Sequence, residues 1–119
     1  MSEADTNTNT DNRVLIIILD QPSLMDDIIS GFLDLGVPGA TILESKGMGQ
    51  IIRQDMPMFA GLAGLFSENT GSRVIMSVMS KDIVEDVYKL IEELAAQFEM
   101  PKSIICYTMP CDTFKTFRG

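Results

Sequence analysis

Arg13 to Leu19 reads RVLIIIL, a continuous apolar and β-branched run without polar alternation. Such a run predicts a central strand buried on both faces. Ser23 and Asp26, just downstream, have capping-box spacing, and Pro22 suits a helix entry. Leu24, Ile28, Phe32 and Leu35 then fall on one helical face before the stop signal Gly36. Val37-Pro38-Gly39 is a turn, and Ala40 to Lys46 (ATILESK) alternates as a strand with one polar face. Arg73 to Met79 (RVIMSVM) predicts a third strand. Ser80 is positioned to cap a long helix, Lys81 to Phe98, whose apolar stripe runs through Ile83, Val84, Val87, Leu90, Ile91, Leu94, Ala95 and Phe98. The Met100-Pro101 break precedes a last strand, Ser103 to Met109 (SIICYTM), and Pro110 to Gly119 reads as a short tail.

The order βαββαβ on 119 residues predicts an α+β, split-βαβ or ferredoxin-like sandwich. In it, two helices cover one face of a four-stranded antiparallel sheet. Residues 13–119 form the single domain on this reading. Residues 1–12 (MSEADTNTNTDN) contain no branched aliphatic and predict a flexible arm. Because the first and third strands are apolar on both sides, the open sheet face is expected to be covered by another subunit.

Charge and composition narrow the function. The chain carries nine Lys+Arg against seventeen Asp+Glu, a net charge of −8, and its sequence pI is about 4.3. That balance disfavours nucleic acid and anionic lipid surfaces as partners. With no His anywhere, imidazole-based triads and most zinc sites are excluded. Cys106 and Cys111 are too few for a disulfide scaffold, so a reduced, cytoplasmic protein is expected. No apolar run approaches the length of a membrane span. Cys106 is read as a core residue, and no nucleophile stands beside a base, so an enzyme is not expected.

The 26 residues from Gly47 to Ser72 replace what should be a short hairpin. Gly47-Met48-Gly49-Gln50 and Asn69-Thr70-Gly71-Ser72 read as turn sequences flanking an apolar middle. Asp55 is placed to cap a helix from Pro57 to about Phe66, with Met58, Leu62 and Leu65 on one side and Phe59, Ala63 and Phe66 on another. Two readings stand: the segment packs on its own core or a neighbouring subunit, or it docks a partner protein through Met56, Met58, Phe59, Leu62, Leu65 and Phe66.

The stretch Gly36-Val37-Pro38-Gly39-Ala40-Thr41-Ile42-Leu43-Glu44-Ser45-Lys46-Gly47-Met48-Gly49 resembles the segment that leads into the T-loop of the PII-like signalling proteins. The tail, with Pro110, Phe114, Phe117, Arg118 and Gly119, is similar to that family's C-terminal segment. The resemblance implies a homotrimer with a T-loop-like insertion at 47–72 and ligand clefts between subunits. It implies that Thr41, Gly47, Gly49, Gln50, Lys102 and Arg118 line the cleft, with Thr41 near an adenine and Arg118 facing phosphate. It further implies that ATP, ADP or AMP acts as an effector rather than a required cofactor, and that the partner is a membrane transporter or an enzyme. The sequence departs from the pattern at Glu99-Met100-Pro101-Lys102, which replaces the glycine-rich phosphate loop, at the family's glutamine, with Gln50 one position early and Ile51 in its place, and at Thr116, where a tail arginine is expected. Two alternatives follow: a structural trimer that binds no nucleotide, and a metal-binding protein similar to CutA through Cys106 and Cys111.

Overall fold

The structure is a computed structural model that describes residues 3–7, 11–20, 22–59, 61, 72–97 and 104–118. Strand β1 is Glu3–Asn7, β2 is Asn12–Leu19, and helix α1 is Met25–Leu35. Strand β3 (Thr41–Ser45), helix α2 (Met48–Asp55) and strand β4 (Ser72–Ser80) follow. Helix α3 (Lys81–Gln97) and strands β5 (Ile104–Pro110) and β6 (Phe114–Arg118) complete the order. The main sheet is ordered β3-β4-β2-β5 with every neighbouring pair antiparallel. This is the split-βαβ arrangement the sequence predicts.

Strand alternation divides β2 into two apolar sets. Leu15, Ile17 and Leu19 join Ile75 and Met79 of β4 in one core with Ile28 and Phe32 of α1 and Val84, Val87, Ile91 and Leu94 of α3. Val14, Ile16 and Ile18 belong to the opposite face, where the register sets them in rows with their neighbours. Val14 lies between Val78 and Met109, Ile16 between Met76 and Tyr107, and Ile18 between Val74 and Ile105. Ile16 at the sheet centre is only 5% exposed, yet Leu43, Ile105, Tyr107 and Met109 are each close to half exposed. Among the described residues, no element packs over this face in the way the two helices cover the other.

The helix ends follow local chemistry. Gly36 adopts a left-handed conformation (φ 78°), with Gly36 N–H donating to Leu33 O and Val37 N–H to Phe32 O. This Schellman arrangement stops α1 as its sequence predicts. The expected Ser23 capping box is not formed; a 3-10 turn over Pro22–Leu24 leads in, and Leu24 is the N-cap without a side-chain bond. Burying Leu24 in the core fixes the entry instead. Ser80 Oγ accepts the Ile83 N–H at 3.4 Å, which is the expected cap of α3.

Two expectations are corrected. The arm expected to be flexible contains β1, and the expected tail contains β6. These pair antiparallel from Glu3↔Arg118 to Asn7↔Phe114 as a separate two-stranded sheet. Main-chain bonding, which residue hydropathy does not report, is what such a pairing gains. The insertion begins with a helix where a turn was expected, Met48–Asp55; of the helix expected from Pro57 to Phe66, 57–59 form a 3-10 turn, and 60 and 62–66 fall outside the described residues. Pro57 separates α2 from that 3-10 turn, because the residue before proline is biased away from the helical region. Met56 accordingly has φ −133° and ψ 67°.

Helices α1 and α3 approach closely at Gly31, where an added Cβ would overlap Leu90 Cδ2. Gly31→Val is expected to lower unfolding stability by about 1–3 kcal/mol. In denaturant titrations the Gly31→Val/Leu90→Ala double variant should lose less than the two single variants together.

Candidate functional site

The neck of the insertion is held by strand pairing and by hydroxyls. Ser45 and Ser72 are register partners at the end of the β3–β4 ladder. Ser72, only 2% exposed, donates from Oγ to Ser45 O at 3.2 Å, and the two hydroxyls are themselves hydrogen-bonded. A sheet end closed in this way gives the variable segment a defined exit and return.

Immediately beside the neck, Ser45 to Gln50, Ser72, Val74, Ile18, Asp20 and Ile105 line a cavity of about 460 Å³. Gly47 is the N-cap of α2 and supplies no side-chain cap, while its carbonyl accepts the Ile51 N–H at 3.1 Å. The first-turn amides of α2 therefore add a partial positive charge at the rim. Lys46 adds a full charge and Asp20 opposes it. Gly49 and Gln50 are buried, whereas Gly47 is exposed, has no positive φ, and would accept a Cβ without meeting another atom. Among the described residues, nothing thus requires glycine at position 47.

Thr41 stands at the other end of β3, four residue steps from Ser45, or about 13 Å along an extended strand. It lines a second cavity, of about 770 Å³, between the 38–40 turn, the uncovered face at Val14, Met76 and Val78, and Phe114 and Thr116 of β6. Ser77 Oγ donates to Gly39 O and ties that turn to β4. Arg118 is the last residue of β6, in register with Glu3 of β1.

The residues expected in one cleft are therefore divided within one chain. Gly47, Gly49 and Gln50 gather at the first cavity, and Thr41 lies at the second, whose lining includes two β6 residues. Lys102 lies outside the described residues. Both cavities reach residues of the uncovered sheet face: Ile18, Val74 and Ile105 in one, and Val14, Met76 and Val78 in the other.

Of the residues expected to dock a partner, Met56, Met58 and Phe59 are exposed directly after α2. Leu62, Leu65 and Phe66 lie outside the described residues. The structure adds Met48 and Ile51 of α2 to the exposed apolar group. Reading Gly47-Met48-Gly49-Gln50 as a turn hid them, although the helical spacing of Met48, Ile51 and Ile52 was present in the sequence.

Cys106 packs against the helix-side core as expected, and burial pushes its thiol pKa up. Cys111 Sγ donates to Thr113 O at 3.4 Å. Neither cysteine is in a disulfide, and among the described residues no group of three or more His, Cys, Asp or Glu side chains could hold a metal ion. No helix among the described residues is long and apolar enough to cross a membrane.

In fold, the chain is similar to PII of Arabidopsis thaliana bound to citrate, with a TM-score of 0.61 at 18% identity over 87% of this chain and 79% of that one. It is similar to a DUF3240 family protein of Shewanella baltica OS155, with a TM-score of 0.58 at 12% identity over 85% and 90% of the two chains. It is also similar to CPII, a nitrogen regulatory PII-like protein of Thiomonas intermedia K12 bound to ADP, AMP and bicarbonate. There the TM-score is 0.53 at 14% identity, covering 100% of this chain and 99% of that one. No protein-family model and no curated protein matches the sequence. The chain has the fold of the PII-like proteins.

The raised Cys106 thiol gives a pH dependence with a definite sign. The unfolded chain releases this proton at lower pH than the folded one. The thiol's contribution is complete below the unfolded pKa and is lost as pH rises through the folded value. Urea denaturation from neutral pH to about pH 10 should show this alkaline loss, and Cys106→Ala should remove that component.

Proposed function

We propose that this chain is a divergent PII-like regulator working in the cytoplasm as a homotrimer. It takes a small anionic effector, an adenine nucleotide, in clefts between subunits, and controls a protein partner through its 47–72 loop. The observation that carries this reading is the gathering of Lys46, Gly47, Gly49 and Gln50 around a cavity at the loop's base. That cavity is continuous with an apolar sheet face needing a cover.

The split between the two cavities supports an inter-subunit cleft. One subunit supplies the loop base and α2 N-terminus, and its neighbour supplies the strand that bears Arg118, with Lys102 as a further candidate. An effector bound at the α2 N-terminus favours the conformation in which that helix is formed. It thereby shifts the loop population and the presentation of Met48, Ile51, Met56, Met58 and Phe59. Leu62, Leu65 and Phe66 extend the same docking segment, and a transporter or an enzyme fits as its partner. No catalytic role is assigned: the chain has no His, and the Ser45 and Ser72 hydroxyls bond to each other and to a carbonyl.

A second reading, a trimer that binds no nucleotide, is favoured by Asp20 opposite Lys46 and by the apolar lining from Ile18, Met48, Val74 and Ile105. The metal-binding reading has no ligand set among the described residues.

Calorimetric titration with ATP, ADP and AMP separates these readings. Saturable binding is expected, and Arg118→Ala should weaken it by roughly ten- to a hundredfold, the range for a charge-assisted hydrogen bond. Silence with all three nucleotides from an intact trimer favours the structural reading. In sedimentation, the wild-type chain should be trimeric and Ile105→Asp/Tyr107→Asp monomeric, because two carboxylates would be buried without partners. A monomeric wild type sinks both trimer readings.

A further inference from the structure

The second cavity has two walls of unlike construction. Its inner wall belongs to the main sheet: Val14, Met76 and Val78 lie in β2 and β4, Thr41 is in register with Met76, and the Ser77 hydroxyl holds the turn at Gly39. Its outer wall is Phe114 and Thr116 of β6. The exposure of β6 alternates accordingly: Phe114 and Thr116 are half-buried, while Lys115 and Phe117 are exposed, Phe117 to 72%. Among the described residues, β6 is hydrogen-bonded to no strand of the main sheet. Its ladder partner is β1, from Glu3↔Arg118 to Asn7↔Phe114.

We infer that β1 is a positioning strand for this cavity: its main chain holds β6 in place, so ligand affinity at Phe114 and Thr116 depends on residues 3–7. The inference rests on the proposed reading that the cavity receives part of the effector. Composition says what β1 contributes. Its sequence, EADTN, has no branched aliphatic or aromatic residue, which leaves backbone hydrogen bonding as its contribution to the fold.

The two strands also leave the main sheet at one point. Lys81 N–H donates to Asp11 O at 2.8 Å and Cys111 N–H donates to Asn12 O at 3.1 Å, so the start of β2 delivers β1 beside the root of β6. Without β1, β6 would be a five-residue segment with no ladder partner. A strand that short does not hold one extended conformation alone. Apparent affinity falls with the fraction of molecules in which the wall is in place. The coupling is reciprocal: a ligand that contacts the wall tightens the ribbon in turn.

The test uses the full chain, AMP as the probe, and three variants. Deleting residues 1–9 removes β1 and leaves Asp11 and Asn12 with their main-chain bonds. Asp5→Pro/Thr6→Pro keeps the length and breaks the ladder, because one of two consecutive residues turns its N–H to the partner strand and proline has none. Glu3→Gln/Asp5→Asn keeps the main chain and removes two charges. In hydrogen exchange without ligand, the β6 amides should lose protection in the first two variants and keep it in the third. The first two should weaken AMP about tenfold in calorimetry, the factor for a wall in place in about a tenth of the molecules. The third should match wild type. All three should sediment as wild type does, because the main sheet does not include β1. Unchanged AMP affinity in the deletion and proline variants, with Arg118→Ala still weakening it, overturns the positioning role and leaves the proposed function standing. A loss in Glu3→Gln/Asp5→Asn equal to that of the deletion also overturns it, since the charges and not the pairing would then be responsible. AMP bound by no form of the chain overturns both.

Discussion

The apolar double-sidedness of β2 is the constraint on which the rest of the structure depends. Leu15, Ile17 and Leu19 lie beneath α1 and α3 as part of a closed core, and their burial determines which way the strand faces. Strand periodicity then leaves Val14, Ile16 and Ile18 on the other side. Strands β4 and β5, hydrogen-bonded along either flank, extend the same apolar character in register. A one-residue slip in either pairing would exchange the two faces, so the rows centred on Val14, Ile16 and Ile18 are as strongly specified as the core itself. Both cavities open against that second face, which makes the fold's unfinished side also its chemically interesting side.

Legibility in the sequence follows from how local each signal is. RVLIIIL, the stripe of α3 and the Gly36 stop are recognisable because the physics that forms them acts within a few residues of chain. The strand order could be inferred because few topologies satisfy βαββαβ with a single helical layer. The α1 entry was misread because a buried Leu24 replaced the hydroxyl cap that Ser23 advertises. In the insertion, two glycines look like turn chemistry and Pro57 like a helix start, yet Gly47 caps a helix that ends two residues before Pro57. Strand β1 was illegible for a deeper reason: its sequence gains nothing from burial, and its partner lies more than a hundred positions away.

The candidate site shows the same division. Gly47, Gly49 and Gln50 are close in space because they are close in sequence, and a motif read along the chain was sufficient to collect them. Thr41 belongs to the same motif but stands at the opposite end of β3, since an extended strand converts four residues into about 13 Å. Asp20, Ser72, Val74 and Ile105 come to the first cavity only through the antiparallel register, which no linear motif encodes. The clamp between Ser45 and Ser72 is likewise a product of pairing across 26 intervening positions of chain.

The hydrogen bond from Cys111 N–H to Asn12 O changes the topology of the ribbon from non-local to nearly local. Once β2 and β5 are paired, the roots of β1 and β6 are held side by side. Only residues 8–11 and 112–113 separate the two strands from that junction. The remaining closure resembles that of a hairpin with a short loop, and most of the entropy of bringing such distant segments together has already been spent by the sheet. In folding terms, the ribbon is a late and inexpensive addition to a finished domain: it forms on the sheet's time scale or after it, and it can open without disturbing the core.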